Sequence, residues 1–374
     1  MQRVFSLVLN NFKNDSRVLR TCFFLKRSGY EVGVIALHDA GQLVSEVVNG
    51  IQVDRVRLVT RAWYKNKIFQ VIKFAEWSLA ALWRARRADL VHCNDLNTLQ
   101  VGVMLKLLSF GRIKLVYDAH EFESNYAPNQ SRRSIWLLQV IERALIRFAD
   151  AVITVSDGIA EEYARLYSIE KPALVLNCPP YQEVGKKDLF REKFGIIPGQ
   201  TIFLYQGGLD KGRGVEMLLE AFRDLGGANA IVFMGYGPLE ETIKEYALAH
   251  QGIYFHPAVS PDVLLDYTSS ADFGISFIEN ACKSFAYCLP NKMFEYLMAG
   301  LPVIVSNLQE MKKVVEKNGI GVVAAENTVL GLQEAIQRAV NLDKTTVNEN
   351  IGKIKQVYCW EEQERTLRMV YRGL

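Results

Sequence analysis

Between residues 289 and 306 the chain reads LPNKMFEYLMAGLPVIVS, which sets one carboxylate, Glu295, three residues after an ammonium, Lys292. Pro290 and Asn291 mark a helix start, with Asn291 suited to cap it. Met293, Phe294, Leu297 and Met298 give the helix an apolar face, and Gly300 and Pro302 end it before the short strand Val303–Val305. A helix start offers free N–H groups and the positive end of a dipole, which suits phosphate. A carboxylate nearby can accept hydrogen bonds from two hydroxyls at once. The stretch therefore points to a sugar nucleotide. The plainer alternative for Glu295 is a solvated carboxylate on a helix face.

Other segments carry matching chemistry. In GGLDKGRG, residues 207–214, Gly207, Gly208 and Gly212 let backbone approach a phosphate, and Arg213 brings a guanidinium to what reads as a helix start. Gly235 and Gly237 in MGYGPLEE form a second glycine turn, and His256 ends the strand IYFHPA, where it faces a nucleotide base or belongs to a plain turn. In the first half, ADLVHCND, KLVYDAHE and DAVITVSD are apolar strands with polar ends. Asp95, Asp118, His120 and Glu121 then share the carboxyl edge of a sheet, where open α/β sheets bind ligands. His120 there is a hydrogen-bond partner or proton acceptor for a sugar hydroxyl, or else a satisfied core histidine.

The elements that position these residues alternate strand and helix twice over, which implies parallel sheets. The expected boundaries are an N-terminal domain over 1–180 and a C-terminal domain over 181–357, joined by the polar stretch YQEVGKKDLF, with the last segment 358–374 returning to the first domain. The length of 374 residues and 49% hydrophobic content fit two such cores. Residues 1–180 carry a net charge of +7 and residues 181–374 a net of −4, giving +3 for the chain, which fits either a first half that meets an anionic partner or a solvated surface with uneven charge. The six cysteines form no C-x-x-C pair, which argues against a zinc site or disulfide framework and for a reducing cytoplasm. The N-terminus has no signal-peptide pattern, and no apolar run reaches the ~20 residues a membrane span needs. Residues 61–87 hold seven basic residues against one acidic, with Trp63, Tyr64, Trp77 and Trp83. That composition fits either a core helix with basic ends or a surface for an anionic membrane.

Seven segments in order resemble the GT-B glycosyltransferases, and among them the retaining glycosyltransferase family 4. They are NDSRVLRTCFFLKRSGYEVGVIAL, ADLVHCNDLNTL, VYDAHEFES, DAVITVSDGIAEEY, YQGGLDKGRGVEMLLEAF, MGYGPLEE and LPNKMFEYLMAGLPVIVSN. The tail CWEEQERTLRMVY is similar to that family's crossing-back helix. The resemblance implies two Rossmann-like, doubly wound α/β domains facing a cleft. It implies transfer of a sugar, with retained configuration, from a UDP-, GDP- or ADP-sugar to a glycan or lipid-linked glycan. It implies no cofactor and no metal, and the chain has no Asp-x-Asp motif. Donor contacts fall to Gly207, Gly208, Arg213, Gly235, Gly237, His256, Glu279, Asn291, Lys292 and Glu295, and acceptor-side positions to Asp95, Asp118 and Glu121. His120, Arg213 and Glu295 are the expected catalytic groups, with Glu295 on the donor ribose and Arg213 on the diphosphate. Two positions depart from the pattern. Tyr287 stands where a first glutamate belongs, eight residues before Glu295, so Glu279 or Asn280 is left to read the sugar. Gly208 stands where an arginine belongs, so Lys292 or Lys211 is left to complete the cation pair. A cytoplasmic enzyme of surface polysaccharide assembly, at the inner membrane face and without nucleic acid, is the expectation. A sugar-nucleotide epimerase and a non-catalytic sugar-nucleotide-binding protein are the alternatives.

Overall fold

The computed structural model describes residues 1–13, 15–64 and 66–374. Asn14, which opens the first resembling segment, and Lys65, one of the basic residues of 61–87, lie outside the described residues. The first half holds strands β1 (Arg3–Leu7), β2 (Glu31–Leu37), β3 (Ser45–Val48), β4 (Ile51–Val56), β5 (Leu90–Asn94), β6 (Lys114–Ala119), β7 (Ala151–Thr154) and β8 (Ala173–Leu174). Their order across the sheet is β3-β4-β2-β1-β5-β6-β7-β8. All pairs are parallel except β3 with β4, a hairpin absent from the sequence reading. Its turn runs through Asn49 and Gly50, both at positive φ, the chemistry a tight hairpin requires. Helices α1 (Ser16–Arg27), α2 (Lys67–Ala85), α3 (Leu96–Leu108), α4 (Arg132–Ile146) and α5 (Asp157–Tyr167) cover the sheet.

The chain order reverses between β1 and β5, so this switch point opens a crevice at the carboxyl ends of those strands. Side-chain caps start several helices where the sequence offers them. Asp15 accepts from Val18 N–H at 3.1 Å, and Ser156 from Ile159 N–H at 3.3 Å. Each such cap contributes about 1 kcal/mol.

Residues 175–188 carry no regular element and lead into the second half. There follow α6 (Leu189–Phe194), β9 (Thr201–Gly208), α7 (Val215–Leu225), β10 (Asn229–Tyr236), α8 (Glu240–Ala249), β11 (Ile253–Pro257), α9 (Leu264–Ser269), β12 (Phe273–Ser276) and α10 (Lys283–Ala286). Then come α11 (Asn291–Met298), β13 (Val303–Val305), α12 (Gln309–Asn318), β14 (Gly321–Val323), α13 (Val329–Val340), α14 (Lys344–Lys355) and α15 (Trp360–Arg372). The six parallel strands run β11-β10-β9-β12-β13-β14, with the order reversing between β9 and β12. Two helix starts differ from the sequence reading. Pro290, not Asn291, occupies the cap of α11, and no side chain bonds there. Arg213 precedes α7, whose cap is Gly214 at φ +76°.

The last helix, α15, leaves the second half and packs on the first. Trp360, Leu367 and Tyr371 join Val4, Phe24, Leu90, Val116 and Ile153 in one buried cluster. Gln363 Oε1 accepts from Leu176 N–H at 2.9 Å, tying the helix to the strand exit. Leu367 is fully buried there. Leu367→Ala should therefore remove about 3 kcal/mol, the usual loss for a buried leucine. Urea unfolding followed by circular dichroism should show a lower midpoint at unchanged slope.

Candidate active site between the two sheet edges

The carboxyl ends of β1, β5 and β6 face those of β9 and β12 across a cleft. A cavity of about 440 Å³ lies in it, walled by His120, Glu121, Ile159 and Asn177 on one side and by Gln206, Gly207, Gly208, Arg213, Ser284, Lys292 and Glu295 on the other. A second hollow of about 430 Å³ adjoins it toward the loop after β1, at Asn10, Asn11 and Lys13.

On the C-terminal wall, Glu295 is set by a relay. Thr268 Oγ1 donates to Gln206 Oε1 at 2.8 Å, and Gln206 Nε2 donates to Glu295 Oε2 at 2.6 Å. A carboxylate only accepts, so it dictates which end of the Gln206 amide faces it. Tyr296 Oη, accepting from Gln206 N–H at 2.9 Å, anchors α11 to β9 from below. Burial pushes the Glu295 carboxyl above its ordinary range, against the pull of Gln206, Arg20 and Lys292. Lys292 lies over the Tyr205 ring, with Nζ 3.5 Å from its centroid. Burial first and the Arg213 charge second bring its ammonium down to about 7. Arg213 is stacked on Phe285, 4.9 Å from the ring centroid. Gly207 holds φ +109°, a conformation that favours glycine, and this turns the chain under the Lys292 stem. Two cations thus line one cavity, with Asp210 and Glu295 also in its lining, and the pair suits a diphosphate.

On the N-terminal wall, His120 keeps 18% of its side-chain surface accessible, with Nδ1 3.6 Å from Asp95 Oδ1 and Nε2 3.5 Å from Asp118 Oδ2. Burial lowers its proton affinity, but the two carboxylates outweigh it and raise the imidazole to about 9. His120 is therefore an imidazolium at neutral pH. Asp118 is 1% exposed and forked by Arg17, Nη2 to Oδ1 at 2.7 Å and Nε to Oδ2 at 3.1 Å. Burial alone would raise its pKa, yet Arg17 and His120 hold it well below the usual carboxylate range. Asp118 has no free face toward the cavity and acts on it through His120. Asp95 stands at the cap of α3 with φ +65° and reaches the cleft only beside His120. Glu121 lines the cavity directly, and its carboxylate accepts from Ser284 Oγ of the opposite domain at 3.3 Å.

The structure thus brings His120, Glu121, Gly207, Gly208, Arg213, Asn291, Lys292 and Glu295 to one cavity. It places four other candidates elsewhere. A Cβ on Gly235 would lie 1.9 Å from Gly207 carbonyl, and one on Gly237 2.6 Å from Leu209 carbonyl, so close strand packing accounts for both. His256 sits among Phe190, Phe194 and Tyr267, with Nδ1 2.7 Å from Pro257 carbonyl. Glu279 follows β12, outside the cavity lining, with its N–H on Gly212 carbonyl at 3.1 Å. Sequence reasoning passed over Gln206, Asn177, Arg20 and Ser284. Gln206 was within reach, since it is the polar end of the apolar strand TIFLYQ, the same signal that marked His120. Arg20 and Ser284 lie in segments whose pattern explains them without a ligand.

Two family profiles match the chain in succession. One, described as a glycosyl transferase 4-like domain, covers residues 16–179, and the other, glycosyl transferases group 1, covers residues 200–341. A curated relative described as the teichuronic acid biosynthesis glycosyltransferase TuaC of Bacillus subtilis is 24% identical over 223 residues, 59% of this chain and 53% of that protein. The chain thus matches about half the length of that relative. Among solved structures, sucrose-phosphate synthase from Thermosynechococcus elongatus superposes with a TM-score of 0.80 at 18% identity, covering 100% of this chain and 98% of that one. Anabaena HepE in complex with UDP-glucose superposes with a TM-score of 0.76 at 14% identity, covering 100% of both chains. At these identities the likeness is one of fold.

The cation pair can be tested without any ligand. Competitive acetylation with trace acetic anhydride, read by peptide mass spectrometry, should give Lys292 a reactivity midpoint near pH 7, because the amine is nucleophilic only once its proton is lost. Arg213→Met removes the like charge and should move that midpoint up. A midpoint near the ordinary lysine value in the unaltered protein would refute the proximity argument.

Proposed function

Because the chain belongs to the glycosyltransferases of GT-B architecture, we propose that it moves a sugar, with retained configuration, from a nucleotide diphosphate sugar to a glycan or lipid-linked glycan acceptor. The observation that carries this reading is the convergence of Arg213, Lys292 and Glu295 on one cavity whose opposite wall presents His120 and Glu121. Glu295 accepts from the ribose hydroxyls through the oxygen that Gln206 leaves free. Arg213 and Lys292 take the diphosphate, with the N-terminal end of α11 assisting through its dipole. Both stabilise the charge that grows on the departing nucleotide. The imidazolium of His120 donates toward the sugar from the other wall. As the glycosidic bond to phosphate breaks, the acceptor oxygen attacks the same face and its proton passes to the leaving diphosphate. No protein nucleophile is needed for that balance, and the charge handling by two side-chain cations supports a reaction without metal.

The TuaC relative supports surface polysaccharide assembly as the setting, and the HepE complex supports a UDP-sugar among the donors. Six free cysteines support a cytoplasmic site of action. No helix among the described residues is long and apolar enough to cross a membrane. Contact with the inner membrane face is supported instead by α2. Trp77, Ala81 and Ala85 bury one stripe of it, while Ile68, Val71, Leu79 and Trp83 are each about two-thirds exposed beside Lys67, Arg84 and Arg86. Apolar side chains flanked by cations suit an anionic lipid surface.

Incubation with UDP-, GDP- and ADP-sugars, with and without a membrane lipid extract, tests the reading. We expect labelled sugar in the lipid or glycan fraction from one donor class, resistant to EDTA, and a loss of about 100-fold in kcat/KM for Glu295→Ala, a size common when a charge-assisted contact is removed. Epimerised donor, or binding without turnover, would overturn it. Vesicles of phosphatidylglycerol should retain the protein, and Lys67→Glu with Arg86→Glu should release it.

A further inference from the structure

We propose that Glu121, on the N-terminal domain, is the carboxylate that reads the hydroxyls of the donor's sugar ring, in place of the glutamate missing from the opposite loop. The assignment rests on the nucleotide-sugar reading above. The position that should supply a carboxylate, Tyr287, turns out of the cavity. Its ring meets Phe122 edge-on at 6.3 Å between centroids and presses on Gly158, where a Cβ would lie 2.7 Å from Tyr287 Cδ1. Position 287 is thus spent on an apolar joint between the domains. Glu279 does not line the cavity. Of the acidic groups that do, Glu295 is assigned to the ribose, and Asp210 folds back along the glycine loop, its Oδ2 2.8 Å from where a Gly208 Cβ would stand. Glu121 is the remaining carboxylate, and it faces the cations across the space that a sugar attached to the diphosphate must occupy.

Glu121 is also held for the task. Ser284 Oγ donates to Oε2 at 3.3 Å and leaves Oε1 free. Ser284 itself is brought there by α10, which is pinned to the N-terminal domain. Lys283 pairs with Glu162 and lies 5.5 Å from the Phe122 ring centroid. Arg213 attracts the Glu121 carboxylate from the diphosphate side. Glu121 is exposed in the cleft; a sugar that covers it leaves its carboxylate unpaired unless two neighbouring ring hydroxyls donate to it, and that difference discriminates between sugars. The sugar class implied is a hexose with adjacent free hydroxyls. Its recognition depends on the two domains being closed, because the nucleotide is anchored on one wall and the sugar is read from the other.

Calorimetry with three matched pairs of probes, UDP with UDP-glucose, GDP with GDP-mannose and ADP with ADP-glucose, tests this. Glu121→Gln should leave the Kd of the free diphosphate within about twofold and weaken the matching sugar nucleotide by about 10-fold or more, the scale of a lost charge-assisted hydrogen bond. Ser284→Ala should move the same ratio in the same direction by less. Equal weakening of both members of a pair, or unchanged binding of both, overturns the assignment. An unaltered protein that binds none of the six probes overturns the nucleotide-sugar reading and this assignment with it. Thermal unfolding of each variant separates loss of contact from loss of fold.

Discussion

Asp118 ends β6 deep in the N-terminal domain and takes contacts from Arg17 of α1, His92 of β5 and His120 of the cleft wall. A buried carboxylate is tolerated only when its lone pairs are met, and removing one partner of such a pair commonly costs 3–5 kcal/mol, about a third of a domain's stability or more. Arg17 also donates from Nη1 to Val175 carbonyl at 2.7 Å, so the same pair fixes where the chain leaves the first domain. His92 carries the link further, to Tyr371 in the last turn of α15. Its Nε2 must hold the hydrogen that points at the carboxylate, so Nδ1 accepts from the phenol when the ring carries one proton. One carboxylate therefore joins the first helix, two central strands, the last helix and the histidine of the site.

The two walls of the cleft are charged in complementary ways. The C-terminal wall concentrates Arg213 and Lys292, and burial first, with repulsion from Arg213 second, keeps the lysine close to losing its proton. An anion between them relieves that repulsion, so the site gains on binding what it loses when empty. The N-terminal wall is acidic around one cation. Asp95, Asp118 and Glu121 surround an imidazolium, and the pull of the first two keeps it charged. The walls are held together by side chains rather than by strand pairing. Lys283 with Glu162, Lys313 with Asp157 at 2.7 Å, and the Tyr287 ring in the N-terminal core are the joints. Such joints are modest in energy where exposed, which is what a cleft that must admit and release substrate requires.

Much of this was open to reading from the chain alone. The alternation of apolar strands with amphipathic helices, the glycine turns and the polar strand ends are local patterns, and local sterics and burial suffice to produce them. They placed His120, Arg213, Lys292 and Glu295 at strand or helix ends that the doubly wound topology must bring to one edge. The family resemblance, rather than the local pattern, marked Tyr287 as a departure eight residues before Glu295. What local patterns could not settle is where a side chain turns once a second surface faces it. Gly235 has no room for a side chain because Gly207 carbonyl lies against it, a contact that no local pattern shows. His256 ends its strand as His120 does, yet one is packed among aromatic rings and the other looks into the cleft, because different elements happen to cover each strand end. Tyr287 leaves the donor loop for Phe122, and Glu121 meets Ser284 163 residues away in sequence, only because the two domains approach each other there. Local periodicity determines the elements and their edges. The occupants of the cleft are decided by contacts between edges, which no spacing along the chain encodes.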